Sequence, residues 1–493
     1  MTILNPIQKI NKDYLLIKLF QGFALGLLAN SIVIPHLTSV NYHPFSIEII
    51  SFFTVFFLFF FLCGFIFNWS IYILISAFLT YWLLDSLFLK DIFFDETLIL
   101  LIFVFAKFWT LEKKLLPKIT IIFSIIFIFL SLLDFKKNIL IDENVNYKEN
   151  SNYKPNFSYL HIVIDEQPSL KYIPDQYKDE AFDKLFVNDY VSNDFKIYNK
   201  TWTWYHRTKQ TLSSLFTLHP KEDKMITKYN FVTTNSRFST SVDKNLFSQK
   251  LYNNGFKVSF IQSDLVEICD KLTSYKCETH TRGSNMQVLQ KFDIDFKERI
   301  KIALLNFHQY YYHKGKKVAL YRKIIDIIRP DNAGYYGFYS RPLANLTILD
   351  EVLNRVKNIE EGEALFAHVL LPHYPYVLDQ DCNLKNSNDW TYPLRHKMND
   401  AKSAYKGLYD QMKCTQKKMR SILVEADKND NLITFIHGDH GVRIFRGTEF
   451  SNNIDNQTTI VAVKDKFTEP GYVDDVVDLQ TIFINFINRN FTK

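Results

Sequence analysis

The sequence predicts a block of transmembrane helices followed by an α/β domain built on a central, mostly parallel sheet. Three observations lead there. Apolar runs long enough to cross a bilayer crowd residues 1–135. Beyond them, short apolar strands alternate with amphipathic helical stretches. Two of those strands run into acidic and histidine residues, at the strand ends where open α/β sheets bind ligands.

The chain has 493 residues, enough for two or three domains. Apolar residues make up 47% of it and aromatics 16%, with 45 Phe, and this bulk sits largely in the charge-poor first 135 residues. Spans are expected near 14–36, 47–68, 70–89, 97–111 and 116–134. No cleavage pattern ends the first run, so it reads as a retained helix. Lys9 and Lys12 precede the first span, and Lys107, Lys113, Lys114 and Lys118 cluster around the junction of the fourth and fifth. The loops at 37–46 and 90–96 hold a single Lys between them. The positive-inside rule therefore puts the N-terminus in the cytoplasm and, after five spans, the rest outside. Lys136 and Lys137 run against that rule. The net charge of +6 is modest, and no basic stripe with interleaved aromatics argues for nucleic acid.

Cysteine usage agrees with export. Cys63 lies in a span and reads as a small apolar residue. Cys269, Cys277, Cys382 and Cys414 lie in the outer part and suggest two disulfides, with three pairings open. Cys269–Cys277 would close a short polar loop, which favours that pair and leaves Cys382–Cys414.

Residues 136–157 are polar and aperiodic and read as a linker to the outer domain, 158–493. Residues 159–164 form a buried-type strand ending at Asp165 and Glu166. Two adjacent carboxylates there are costly unless a cation shares them; the plain alternative is a solvated turn before Pro168. Residues 170–198 read as irregular helix and loop. A helix is expected to begin near Thr208 or Lys209, with Leu212, Leu215 and Phe216 at helical spacing. A hydroxyl at its start can be a cap. Amides there also bind anions, and a metal-bound hydroxyl can ionise and attack phosphorus. Residues 246–262 read as helix, Gly255 stop and strand. Residues 280–345 are basic and aromatic, read as helical, and with the membrane helices are where acceptor recognition is expected. A helix at 343–356 leads to a strand at 364–371, then to His373, held stiffly between Pro372 and Pro375. His368 inside that strand reads as a core histidine. After a long helix at 400–426, a strand at 432–436 runs into His437, Gly438, Asp439, His440 and Gly441. An Asp beside a His between glycines suits a metal held by oxygen and nitrogen. A strand at 458–463 and a helix at 479–487, preceded by Asp478, close the chain.

Five of these stretches, in this order, resemble motifs of the alkaline phosphatase superfamily, in its sulfatase-like branch of membrane-anchored transferases. That branch includes phosphoethanolamine transferases, phosphoglycerol transferases and lipoteichoic acid synthases. The matching stretches are the strand ending in Asp165 and Glu166, the helix from Thr208 to Thr217, the loop around His373, the Gly438-Asp439-His440-Gly441 run, and residues 477–481. The resemblance covers about 158–490. It implies an alkaline-phosphatase-like (sulfatase) domain with Thr208 as nucleophile. It implies that Glu166, Asp439, His440 and Thr208 hold a divalent metal, Zn²⁺ or Mn²⁺ ahead of Mg²⁺ or Ca²⁺, with Asp165 as a further ligand. His373 would bind the transferred group or the leaving oxygen. The partners implied are the lipid bilayer, a phospholipid-type donor and a glycan or lipid acceptor, at the periplasmic side of a bacterial inner membrane. The departures are Leu218 where the family has Gly, Thr211 where it has Ser, and Asp-Glu where two-metal hydrolases have paired Asp.

Formylglycine maturation is disfavoured, because Gln210 and Leu212 stand where it needs Pro and Arg. Two other functions use the same scaffold: hydrolysis of phosphate or sulfate esters, and a non-catalytic glycan-binding role.

Overall fold

The computed structural model describes residues 12–39, 42–87, 115–133, 140–143, 145, 154–218, 231–232, 240–242, 245–280, 286–314, 340–393, 400–445 and 456–491. In chain order the helices are α1 (Lys12–Ser39), α2 (Ile47–Ile66), α3 (Trp69–Leu87), α4 (Leu115–Leu133), α5 (Glu180–Val191), α6 (Thr208–Phe216), α7 (Leu246–Asn253), α8 (Phe296–Lys314), α9 (Ser340–Lys357), α10 (Ala401–Asp427) and α11 (Leu479–Asn490). The strands are β1 (Leu140–Glu143), β2 (Ser158–Ile164), β3 (Lys196–Trp202), β4 (Phe231–Val232), β5 (Thr240–Val242), β6 (Lys257–Ser263), β7 (Val266–Glu267), β8 (Ser274–His280), β9 (Glu363–Val369), β10 (Leu432–Gly438), β11 (Thr458–Lys464), β12 (Gly471–Val473) and β13 (Val477–Asp478).

The chain folds as two compact units. Met1–Lys137 and Asp295–Ile328 make the first; Asn138–Ile294 and Arg329–Lys493 make the second. The first boundary lies between Lys137 and Asn138. Asp295–Ile328, read from the sequence as part of the outer domain, belongs to the first unit by contact.

In the first unit α1 and α2 pack closely because both carry glycine at the contact. A methyl group at Gly22 would lie 2.6 Å from the Phe61 carbonyl oxygen, and one at Gly64 would lie 2.7 Å from that of Gln21. Small residues let helix backbones touch in this way. Lys18, near the start of α1, donates to the Phe67 carbonyl just past the end of α2. The two helices are therefore antiparallel, and the lysine satisfies a carbonyl that the helix end leaves open. Asp13–Pro35 and Ile47–Ile66 are long and apolar enough to cross a membrane. The five expected spans are not supported. The apolar stretches Trp69–Thr80 within α3 and Leu115–Leu130 within α4 hold 10–17 residues each, short of the roughly 20 that a bilayer core requires. The expected span at 97–111 lies outside the described residues.

The second unit is built on a ten-stranded mixed sheet in the order β1-β8-β6-β9-β2-β10-β11-β3-β12, with β13 also on β3. Strands β8, β6, β9, β2 and β10 run parallel. β1, β11 and β3 bring antiparallel pairs, so the mostly parallel sheet of the sequence reading is mixed. β4, β5 and β7 form a small second sheet. Part of the expected linker is structured, since 140–143 pair with β8 as an edge strand. The stop between α7 and β6 is Gly255 at φ +85°, a conformation glycine adopts without a Cβ penalty.

The core lies on the sheet face that carries Tyr159, Val163, Phe435, Val461 and Val463, under α6, α7 and α11. Both expected disulfides are present, Cys269–Cys277 and Cys382–Cys414, and Cys63 is a free thiol.

Candidate active site

Strand register builds this site. Gly438 at the end of β10 pairs with Ile164 at the end of β2, and Ile164 pairs with Val369 of β9. The residues that follow, Asp439 and Asp165, thus emerge side by side at the carboxyl edge of adjacent parallel strands. The fit is tight at Gly438. A Cβ there would lie 2.3 Å from Thr459 Oγ1 and 2.5 Å from the Gln167 carbonyl oxygen. Gly438→Ala is expected to cost about 1–3 kcal/mol as an overpacking change. It should also weaken metal retention, because the strand end cannot shift without moving Asp439. Denaturant unfolding and metal content of the purified chain check both effects.

Thr208 is the first residue of α6, as the sequence predicts, and its side chain enters the same pocket of charge. Its Oγ1 lies 3.4 Å from Asp165 Oδ2 and 3.3 Å from His440 Nε2. His440 Nε2 in turn lies 3.5 Å from Asp165 Oδ1 and 3.3 Å from Asp439 Oδ2. Ligand atoms of Asp165, Asp439 and His440 all fall within 4.8 Å of one another, and all three residues are buried.

The hydrogen bonds fix which atoms carry protons. His440 Nδ1 is 2.8 Å from the Gly441 carbonyl oxygen, which can only accept, so Nδ1 holds the hydrogen. Burial pushes the imidazole well below its usual pKa, helped by the nearby Arg443 guanidinium, so the ring is neutral. Nε2 therefore aims a lone pair at two carboxylates. Burial also raises Asp439 to about 7. Its Oδ1 accepts from the Glu166 and His440 amides at 3.0 and 2.9 Å, leaving Oδ2 toward the cluster. Lone pairs packed this closely repel, and a divalent cation among them removes the repulsion. One imidazole nitrogen with carboxylate and hydroxyl oxygens suits such an ion, and the Nδ1–carbonyl bond is the orienting contact that metal-binding histidines make.

Glu166 stands apart from that cluster. Its side chain forms an ion pair with Arg443 and lies 3.8 Å from His373 Nε2, while its φ is +60°. A left-handed backbone at a non-glycine residue costs energy and persists where its surroundings impose it. Of the five expected metal ligands, the structure brings four together: Asp165, Thr208, Asp439 and His440. The fifth, Glu166, is held by Arg443.

His373 Nε2 accepts from Arg443 Nη2 at 2.9 Å, and its Nδ1 bonds the Tyr374 carbonyl. His368, read from the sequence as a core histidine, is fully buried with Nε2 3.9 Å from Asp165 Oδ2. It borders the site.

Arg443 was not singled out in the sequence. Burial opposes its charge most strongly, yet Glu166, Tyr374 and Asp165 together hold its proton more tightly than usual. The available signal was a basic residue three positions after His440. Arg443→Ala would leave the buried Glu166 carboxylate without its counter-ion, and a loss of about 3–5 kcal/mol in unfolding free energy is expected. An unchanged denaturant midpoint would contradict this role.

Beneath the site lies a buried chain of neutral groups. Tyr159 Oη donates to His161 Nδ1 at 2.8 Å, and the two Nε2 atoms of His161 and His437 meet at 2.9 Å. His437 Nδ1 then donates to the Gly438 carbonyl at 2.8 Å. Phe216, Phe366, Phe435 and Phe483 surround the His161 ring. The chain braces β10 just before Asp439.

No family model and no curated protein matches this chain. Solved structures do. A protein of the alkaline phosphatase superfamily from Vibrio parahaemolyticus is similar at 11% identity and a TM-score of 0.37, over 72% of this chain and 71% of that one.

 Identity at that level means that about one aligned position in nine is shared. The lipoteichoic acid synthase LtaP from Listeria monocytogenes is similar at 11% identity and TM-score 0.37, over 71% of this chain and 76% of that one. The C-terminal periplasmic domain of EptC from Escherichia coli, solved in complex with Zn, is similar at 11% identity and TM-score 0.36, over 70% and 84%. The chain resembles proteins of the alkaline phosphatase superfamily. A 2-O GAG sulfatase and a phosphonate monoester hydrolase show the same degree of likeness. Likeness this distant does not decide activity, which rests on the site's own geometry.

Proposed function

We propose that this chain is a membrane-anchored, extracytoplasmic, metal-dependent transferase with an alkaline-phosphatase-like outer domain. It would move a phospho-substituent from a phospholipid-type donor onto a cell-envelope glycan or lipid, at the periplasmic face of a bacterial inner membrane. The observation that carries the reading is the meeting of the Thr208 hydroxyl with Asp165, Asp439 and His440, from three separate stretches of sequence. The helices Asp13–Pro35 and Ile47–Ile66 support the anchor, and an anchored enzyme is suited to a lipid-borne donor.

Asp165, Asp439 and His440 would hold the divalent cation, Zn²⁺ or Mn²⁺ by donor type, with Thr208 facing it. When bound, such an ion lowers the pKa of a hydroxyl and neutralises charge on phosphoryl oxygens. Thr208 Oγ1 would attack phosphorus, forming the threonine O–P bond as the bond to the donor's oxygen breaks and that departing oxygen takes up the threonine proton. The acceptor hydroxyl would then attack the same phosphorus, the threonine O–P bond breaks, and the proton released by the acceptor returns to the Thr208 oxygen. The N-terminus of α6 adds favourable backbone polarity toward the anionic group. Arg443 holds His373 and Glu166 in place beside it, and its guanidinium is the nearby fixed positive charge.

Hydrolysis uses the same first displacement and differs in taking water as acceptor. Labelled phospholipid donor incubated with the full chain, followed by peptide mapping, tests the first step: label on Thr208 is expected. Product analysis with and without a glycan acceptor separates the two outcomes. Substituted glycan supports transfer, and free phospho-substituent in equal yield under both conditions supports hydrolysis.

A further inference from the structure

We propose that α8 is an interfacial helix that lies in the outer surface of the lipid bilayer. The inference rests on the membrane-anchored reading given above. About 230 residues separate α8 from α2 in sequence, yet both belong to the same compact unit.

The start of α8 is fixed by Asp295, whose Oδ1 accepts from the Glu298 amide at 2.9 Å. One turn in, Arg299 Nη1 reaches Glu48 Oε1 at 3.3 Å. Glu48 is in the first turn of α2, and its side chain is buried. A carboxylate at the head of so apolar a helix is costly unless paired. Arg299 supplies the pair and so sets α8 at the end of α2 where the crossing segment begins. With the N-terminus in the cytoplasm and α1 crossing first, that end is the outer one.

The two faces of α8 differ. Glu298, Ile302 and Ala303 are buried. Phe296, Ile300 and Leu304 recur every four residues and form one stripe, covering about 80° of the helix circumference. Phe296 is 54% exposed and Leu304 49%, with Ile300 half-buried between them. Lys297 and Lys301 border the stripe on its far side from the buried face. An apolar stripe edged with lysines is how a helix seats in the headgroup region, the rings and aliphatic groups sinking and the ammonium groups reaching phosphate. The neighbouring surface is of the same kind, because α2 exposes Ile47, Ile50 and Val55 from the same end onward. The occupant that fits is therefore a phospholipid surface.

Nitroxide labels test this in the full chain, reconstituted in phosphatidylethanolamine–phosphatidylglycerol vesicles. Labels are placed through Phe296→Cys, Ile300→Cys and Leu304→Cys in a Cys63→Ser background, and Leu58→Cys on the exposed side of α2 is the control. Collision with dissolved oxygen reports lipid, and collision with a water-soluble nickel chelate reports water. The expected result is oxygen accessibility several-fold above nickel accessibility at all three sites, at a shallower depth than Leu58→Cys. Nickel accessibility at the three sites with Leu58→Cys in lipid overturns the proposal while the anchor stands. Protection from both reagents also overturns it, since the stripe would then face protein. Water exposure at Leu58→Cys overturns the anchored reading itself, and this inference with it.

Discussion

Replacing Thr208 by Ala is expected to lower turnover by about 10⁴–10⁶-fold, as removal of a covalent nucleophile does. Among the described residues, the Thr208 hydroxyl is the one nucleophilic oxygen set against both Asp165 and His440, at 3.4 and 3.3 Å. Nearby in α6, Thr211 Oγ1 is directed to Thr203 and Ser214 Oγ to the Thr211 carbonyl, so neither takes its place. The substitution removes little packing and should leave the fold and metal content close to those of the parent chain. Thr208→Ser keeps the oxygen and is expected to retain measurable turnover. Turnover, melting temperature and metal content measured together separate loss of the nucleophile from loss of the fold. An alanine variant that turns over at the parental rate would end the enzyme reading.

Asp439→Asn and His440→Ala are each expected to abolish stoichiometric divalent metal. Turnover should fall by roughly 10³-fold, the counterpart of several kcal/mol of lost charge stabilisation. The metal should also change how stability depends on pH. In the metal-free chain, burial raises folded Asp439 from 3.8 to about 7. Between those values the folded state keeps a proton that the unfolded chain has released. Its contribution to stability is therefore full below about pH 4 and is lost as pH rises through about 7. A bound cation displaces that proton and reverses the cost. Added Zn²⁺ or Mn²⁺ should consequently raise the melting temperature more at pH 8 than at pH 6, and chelation should remove the difference. A metal-induced shift equal at both pH values would contradict the assignment of Asp439 as a ligand.

Much of this site is legible in the sequence because its strands are fully buried. Strands β2, β9 and β10 read as short apolar runs, and the chemistry begins where each run stops: Asp165, the loop to His373, Asp439. Strand β3 was missed for the opposite reason. Its buried positions are Ile197, Asn199 and Thr201, and Lys196 and Lys200 stand among its half-buried ones, so no apolar run marks it and it read as irregular loop. The edge strand at 140–143 is short and acidic, and only its pairing with β8 marks it as a strand. Asp295–Ile328 groups with the N-terminal helices, and the Arg299–Glu48 pair there joins residues 251 apart, which no local pattern encodes. Glu166 was expected as a ligand from the resemblance of the Asp165-Glu166 strand end to the family's acidic motif. Its partner, Arg443, arrives from a different strand end, and adjacency in sequence could not reveal it. Of the five spans read from apolar composition, two are long and apolar enough to cross a membrane among the described residues, and the one at 97–111 lies outside them.

The most direct test is a crystal structure of the metal-loaded full chain, with diffraction recorded on both sides of the metal's absorption edge. The account predicts one anomalous peak within coordination distance of Asp165, Asp439 and His440, with Thr208 Oγ1 facing it. A peak at another location, or a peak from which Thr208 is turned away, would contradict it.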